Sequence, residues 1–185
     1  MPRVELSLTK TNLKKQHCLA KGIPTMNKSF LAFLSMLISV SAFAQIKIYK
    51  GDSTSWDKCI ATYSNRKLYK GDSTSWDKCF ATYYDNKIYK GDSTSWDKCL
   101  ATYNNGKFYK GDSTSWDKCI ATYYNNKIYK GDSTSWDKCI ATFSNGKIYK
   151  GDSTSWDKCI FTLSDEPSPA IIIYIVYYYC RFEFE

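Results

Sequence analysis

The nonapeptide Gly-Asp-Ser-Thr-Ser-Trp-Asp-Lys-Cys occurs six times without a change, starting at Gly51, Gly71, Gly91, Gly111, Gly131 and Gly151, a strict period of 20 residues. A fixed period in this range restricts a chain to repeat architectures. Each copy is one small supersecondary unit that buries its apolar face only against its neighbours. The unvaried half has a second explanation, since recent duplication would preserve it whether or not it is needed.

The other half of each unit varies, and the variation carries structural information. The position of Ile60 reads Ile, Phe, Leu, Ile, Ile, Ile, and that of Leu68 reads Leu, Ile, Phe, Ile, Ile. Only apolar residues exchange at these two places, so both are expected in the core. Asn65, Asp85, Asn105, Asn125, Asn145 and Asp165 share one position, followed by Arg66, Asn86, Gly106, Asn126, Gly146 and Glu166. Asn and Gly tolerate positive φ, which marks a tight turn. Cys59–Tyr63 and Lys67–Lys70 flank that turn and are short, aromatic and β-branched, with no helical period, so each unit is read as two strands. The corner from Gly51 to Asp57 is long enough for one helical turn, and Thr54 with Asp57 has capping-box spacing.

An all-β fold follows, with two arrangements open. In a β-solenoid each unit is one coil and equivalent residues stack about 4.8 Å apart; in a β-hairpin meander they lie two strands, about 9.6 Å, apart. Near-identical coils favour the tandem 20-residue solenoid, and the Asn145-Gly146 pair favours the hairpin. The cysteines separate the two. Cys59, Cys79, Cys99, Cys119, Cys139 and Cys159 recur every 20 residues, and Cys180 makes an odd seventh. Disulfide geometry needs Cα atoms about 4.4–6.8 Å apart. Coil stacking permits pairs such as Cys59 with Cys79, and a meander forbids them. The alternative is a ladder of buried free thiols.

Upstream of the repeats, Met26-Asn27-Lys28, the apolar stretch Phe30–Val40 and Ala42-Phe43-Ala44 together read as a signal peptide over residues 26–44. Residues 1–25 then read as an extension contributed by the gene model. The domain plan is completed by a six-repeat β domain over 45–166 and an atypical apolar tail over 167–185. That tail, with Ile171, Ile172, Ile173, Tyr177, Tyr178 and Tyr179, is expected as a capping strand or an adhesive edge, or else as the product of a reading-frame error. It is too short to span a membrane. A secreted, periplasmic or cell-surface location follows, with no membrane span after signal cleavage.

Net charge tests the obvious alternative, nucleic-acid binding. The formal charge is +8. Residues 1–44 contribute six basic against one acidic side chain, or +5, and the remainder 20 against 17, or +3. Within each unit, Asp52 and Asp57 alternate with Lys58, Lys67 and Lys70, so no one-signed stripe is expected and nucleic acid is not a partner.

Catalysis has little to work with. The sole histidine is His17, in the leader. An active site is one asymmetric constellation, whereas Ser53, Thr54, Ser55 and Asp57 come in sixfold copies and look like scaffold. No enzyme activity, cofactor or metal is expected. Calcium held by stacked Asp52 and Asp57, or ice held by ladders of Ser, Thr and Thr62, remain minor alternatives. The aromatic rows carry the binding expectation: Trp56, Trp76, Trp96, Trp116, Trp136 and Trp156, with Tyr69, Tyr89, Tyr109, Tyr129 and Tyr149. Exposed rings in a regular row suit sugar rings or an insoluble polymer. The competing expectation is that each indole folds onto its own corner and stabilises it.

Two resemblances attach to these residues. Asn145-Gly146-Lys147-Ile148-Tyr149 within a 20-residue period resembles the hairpin of choline-binding cell-wall repeats, which place paired aromatics beside the hairpin where this chain has its tryptophan in the corner. Lys-Ile-Tyr-Lys-Gly followed by Ser-Thr resembles tandem repeats of secreted bacterial proteins, notably from Bacteroidetes, over Ile46 to about Thr162. That second resemblance implies export and repetition. The functional expectation is a non-catalytic binding protein for a cell-envelope glycan or protein partner. The alternative is a structural element that self-associates through its tail.

Overall fold

A computed structural model describes residues 45–184; the expected upstream extension and signal peptide lie outside the described residues. Each unit makes two antiparallel strands. In chain order these are β1 (Ile46–Lys50), β2 (Cys59–Ser64), β3 (Lys67–Lys70), β4 (Cys79–Tyr84), β5 (Lys87–Lys90), β6 (Cys99–Asn104), β7 (Lys107–Lys110), β8 (Cys119–Tyr124), β9 (Lys127–Lys130), β10 (Cys139–Ser144), β11 (Lys147–Lys150) and β12 (Cys159–Leu163). Consecutive strands pair, and β1 pairs with β12, so the sheet closes into a 12-stranded barrel. The solenoid expectation is therefore corrected in favour of the meander, closed on itself.

The turns decide this outcome. Asn65 and Arg66 have φ of 50° and 64°, Asn145 and Gly146 51° and 72°. Positive φ at both central residues is the type I′ turn, whose twist matches that of an antiparallel pair and drives the chain back on itself. Five such turns form. The sixth expected turn, at Asp165-Glu166, does not. Instead β1 supplies the missing partner of β12, with Ile48 opposite Leu163, Tyr49 opposite Thr162 and Lys50 opposite Phe161. Within β2 and β3 the corresponding pairs are Tyr63 with Leu68, Thr62 with Tyr69 and Ala61 with Lys70.

Between one hairpin and the next the register shifts once, as between Leu68 and Tyr69 against Ala81 and Cys79. The bulged residue is Phe80, and Ile60, Leu100, Ile120, Ile140 and Ile160 are its equivalents. Bulges bend and twist a sheet, and six of them help to close this one.

Apolar side chains fill the lumen in layers. Ile48, Leu68, Ile88, Phe108, Ile128 and Ile148 are all essentially inaccessible, and Ala61 and its equivalents form the next layer. Twelve strands about 4.8 Å apart, tilted about 40°, enclose a wall of roughly 12 Å radius. Inward side chains take up about half of that, which leaves room for one α-helix about 10–12 Å across. The tail provides it. Residues Pro169–Tyr179 form helix α1, not a capping strand, and Ala170 through Val176 are buried on every side. A helix apolar all round belongs in a core, and one that hydrogen-bonds internally needs no strand partners there. Tyr174 stacks on Phe80 and lies 6.5 Å from the ring of Phe108. The expectation of an adhesive apolar edge is accordingly corrected: the apolar tail is the centre of the barrel.

Among the described residues no helix is long and apolar enough to cross a membrane. The strands, of four to six residues, are also shorter than the roughly 9–11 that a bilayer-spanning strand needs.

Candidate functional site

Each corner is built to hold one indole in solvent. Gly51 follows β1 with φ of +70°, in open space, so glycine is required there by the backbone alone. Both of its peptide groups are pinned: its N–H donates to the bulge carbonyl of Ile160 at 2.8 Å, and its carbonyl accepts from Thr162 Oγ1 at 2.8 Å. Further along, the Ser55 N–H donates to Ser53 Oγ at 3.1 Å, and Ser55 Oγ donates to Asp57 Oδ1 at 2.6 Å. That hydroxyl, ahead of the charge of Lys58, holds the Asp57 carboxyl below the usual range. A single 3-10 turn, Trp56–Lys58, results, with Ser55 at its N-cap and no side-chain capping bond. The capping role expected of Thr54 is not used.

On this turn Trp56 is 82% exposed, and the other five tryptophans are 79–82% exposed. The expectation that each indole folds onto its corner is corrected. The tyrosine row behaves oppositely. Tyr69, Tyr89, Tyr109, Tyr129 and Tyr149 are buried, and burial pushes the phenols of Tyr69 and Tyr89 up. Tyr69 lies on β3, against which the turn carrying Trp76 rests. The two aromatic rows thus differ, tyrosine buried on the strands and tryptophan exposed on the corners.

The seven cysteines among the described residues are free thiols. Cys59 and Cys79 sit two strands apart, about 9.6 Å, beyond disulfide reach. Each of the six repeat thiols instead donates to the carbonyl two residues on, as Cys59 does to Ala61 at 3.5 Å. Partial burial pushes these thiols up, away from the thiolate form that nucleophiles and metal ligands require. Among the described residues, no group of three or more His, Cys, Asp or Glu side chains is placed to hold a metal ion. The repeated aspartates are occupied otherwise. Lys47 reaches Asp72 at 2.8 Å, Lys67 reaches Asp92 at 2.7 Å, and so on around the barrel until Lys147 reaches Asp52 at 2.6 Å. This belt of ion pairs raises the lysine pKa values, chiefly through the hydrogen bond to the aspartate.

The corner surface, from Gly51 to Cys59 and its equivalents, is sixfold and invariant, whereas the lumen and the hairpin ends are not. Phe80, Leu100, Phe108 and Phe161 interrupt otherwise regular layers, because a single helix has no sixfold symmetry to offer the wall around it. The exchanges at the positions of Ile60 and Leu68, legible in the sequence, fall in the core that also contains α1.

No curated protein and no solved structure gives a significant match to this chain. A model of the 6-fold beta flower protein family matches residues 43–173, from before β1 into α1, and supports a repeat protein without supporting the resemblance to choline-binding repeats or to the Bacteroidetes tandem repeats. With its six β-hairpin units arranged in a ring, the chain belongs to the 6-fold beta flower family.

Proposed function

We propose that the chain is a non-catalytic, multivalent binding module that engages a repeating polymer of the cell envelope through its six tryptophans. The observation that carries this reading is their exposure of 79–82% on turns fixed by backbone hydrogen bonds. Large aromatic side chains left in water cost solvation that a ligand recovers, and exposed apolar groups in an organised array mark interaction surfaces. The turns are held rigid before any ligand arrives, so little ordering entropy remains to be lost on binding. Neighbouring turns are separated by two strands, at least about 9.6 Å, and their ring geometry allows one extended ligand to touch several. Individually weak contacts then multiply, by about 10²–10⁴-fold where linkage permits. Export, expected from the leader, would place the ring in contact with such polymers.

The test is tryptophan fluorescence of the folded chain titrated with soluble cell-wall glycans and acidic polysaccharides. A saturable change is expected; in the variant with all six tryptophans replaced by alanine, which has no indole left to report, binding is followed by isothermal titration calorimetry and is lost while the fold persists. Binding that survives in that variant, or no response to any glycan, would remove the proposal.

A further inference from the structure

Each returning strand ends in a lysine: Lys50, Lys70, Lys90, Lys110, Lys130 and Lys150. Residues paired in an antiparallel ladder share a face. Lys70 pairs with Ala61, Lys90 with Ala81 and Lys110 with Ala101, all fully lumenal. The six lysines therefore converge on one mouth of the barrel. The alternation of charge along the chain conceals this, because the intervening lysines are neutralised locally. Lys47 and its equivalents pair with the Asp72 series, and Lys58 and its equivalents with Asp57 and its own series. At the mouth, Lys150 pairs with Glu183 at 2.7 Å, whereas Lys70, Lys90 and Lys110 have no carboxylate within ion-pair distance among the described residues.

The tail leaves the lumen to one side. Tyr179 donates its hydroxyl to the Ile60 carbonyl at 3.1 Å and packs on Phe161, and Glu183 holds Lys150. The opposite side of the mouth stays open as a cleft of about 560 Å³, within the size range of small-molecule sites. Lys70, Lys90 and Lys110 border it, and its floor includes Phe80, Leu100 and Tyr178. Leu100 is 37% and Tyr178 41% exposed, while Phe80 and Tyr178 have ring centroids 4.5 Å apart. Phe80 and Leu100 are also the two departures from isoleucine at the bulge position, and both occur here.

We propose that this cleft binds a small amphipathic anion, an acyl or aryl body on Phe80, Leu100 and Tyr178 with its carboxylate or sulfonate received by Lys70, Lys90 and Lys110. Three ammonium groups over an apolar floor complement such a molecule. They do not suit a neutral lipid, which leaves the lysines unused, or a small inorganic anion, which leaves the floor wet. None of the six tryptophans lines the cleft, so the site is independent of the ring.

The probe is 1-anilinonaphthalene-8-sulfonate, titrated into the full chain and followed by its fluorescence. The expected result is saturable one-to-one binding, displaced by decanoate but not by decanol or inorganic sulfate. The variant K70Q/K90Q/K110Q should bind at least about tenfold more weakly, since charge-assisted contacts are lost, with its urea midpoint unchanged. The variant L100E, at a half-exposed position, should also lose binding. Replacing all six tryptophans by alanine should change nothing. The inference is overturned by unchanged affinity in the lysine variant or in L100E, by equal displacement by decanol, by displacement by sulfate alone, or by loss of the signal in the tryptophan variant.

Discussion

Thr162 Oγ1 donates to the carbonyl of Gly51 at 2.8 Å across 111 residues, making the same bond that Thr102 makes to Gly111 across nine. At this bond the closure of the barrel repeats its internal joints. Each bond satisfies a corner carbonyl that nothing else in the strand ladder reaches.

Equal joints predict equal costs. T162V and T102V should each destabilise the protein by about 1–2 kcal/mol, the usual loss when one partner of a buried hydrogen bond goes. Both threonines are 7% exposed, so burial does not separate them. Urea unfolding of the two variants measures the comparison. If T102V is costly and T162V is free, β1 is not seated against β12 in solution.

Much of this was readable beforehand, and the exceptions have definite causes. The strands, the tight turn at Asn65-Arg66 and the burial of Leu68 follow from local residue preferences. Closure does not, because it depends on Ile46–Lys50 standing in for a strand that the sixth unit lacks, a long-range event with no local signal. The helix was hidden for a related reason. Ile171–Ile173 and Tyr177–Tyr179 favour strands by propensity, yet a segment inside a closed sheet finds no free edge to pair with and must satisfy its own backbone. Of the two expectations for the tryptophans, an exposed row and indoles folded onto their corners, the exposed row is the one found, because the usual partial burial of indole assumes that some surface is available to cover it. Here the tyrosine row, not the tryptophan row, is buried.

The central helix makes a strong claim about stability. Ile172 is fully buried in a lumen that has no other occupant to relax into the gap. I172A should cost about 2–5 kcal/mol, the range for deleting a large aliphatic side chain from a core. A chain ending after Ser168 should lose cooperative urea unfolding altogether, since the inward Leu68 and Phe108 would face water. A truncated chain that unfolds at the unaltered midpoint would show that the barrel stands without its plug.

The tryptophans should be nearly silent in stability. Single Trp→Ala substitutions at positions 56, 96 or 136 are expected within about 0.5 kcal/mol of the parent, as for exposed sites without special contacts. Acrylamide should quench the emission of the folded chain almost as efficiently as that of the urea-unfolded chain. Strong protection from quenching would mean that the indoles are covered in solution, by another copy or by each other.

Alkaline pH probes the lumen from the inside. Burial, reinforced by the charge of Glu166, pushes the Tyr123 phenol up to about 12, and burial moves Tyr174 and Tyr179 further in the same direction. An unfolded phenol ionises near about 10, so above that pH the unfolded chain sheds protons that the folded chain retains. Stability from these groups is whole below about pH 10 and declines as pH rises through the folded value. The thiols, raised by burial, and the belt lysines, raised by their aspartates, act with the same sign. Asp57 and its equivalents, lowered by their serine hydroxyls, contribute stability that is lost only as pH falls through the low carboxylate range. The stability curve should therefore be flat from about pH 5 to 9 and descend on the alkaline side. Phenolate absorbance should include a late stage from Tyr123, Tyr174 and Tyr179. Y123F should remove one late phenol with little structural change, because Phe143 already fills the equivalent place one unit on. If every tyrosine of the folded protein titrates near the ordinary value, water has reached the lumen and α1 does not seal it.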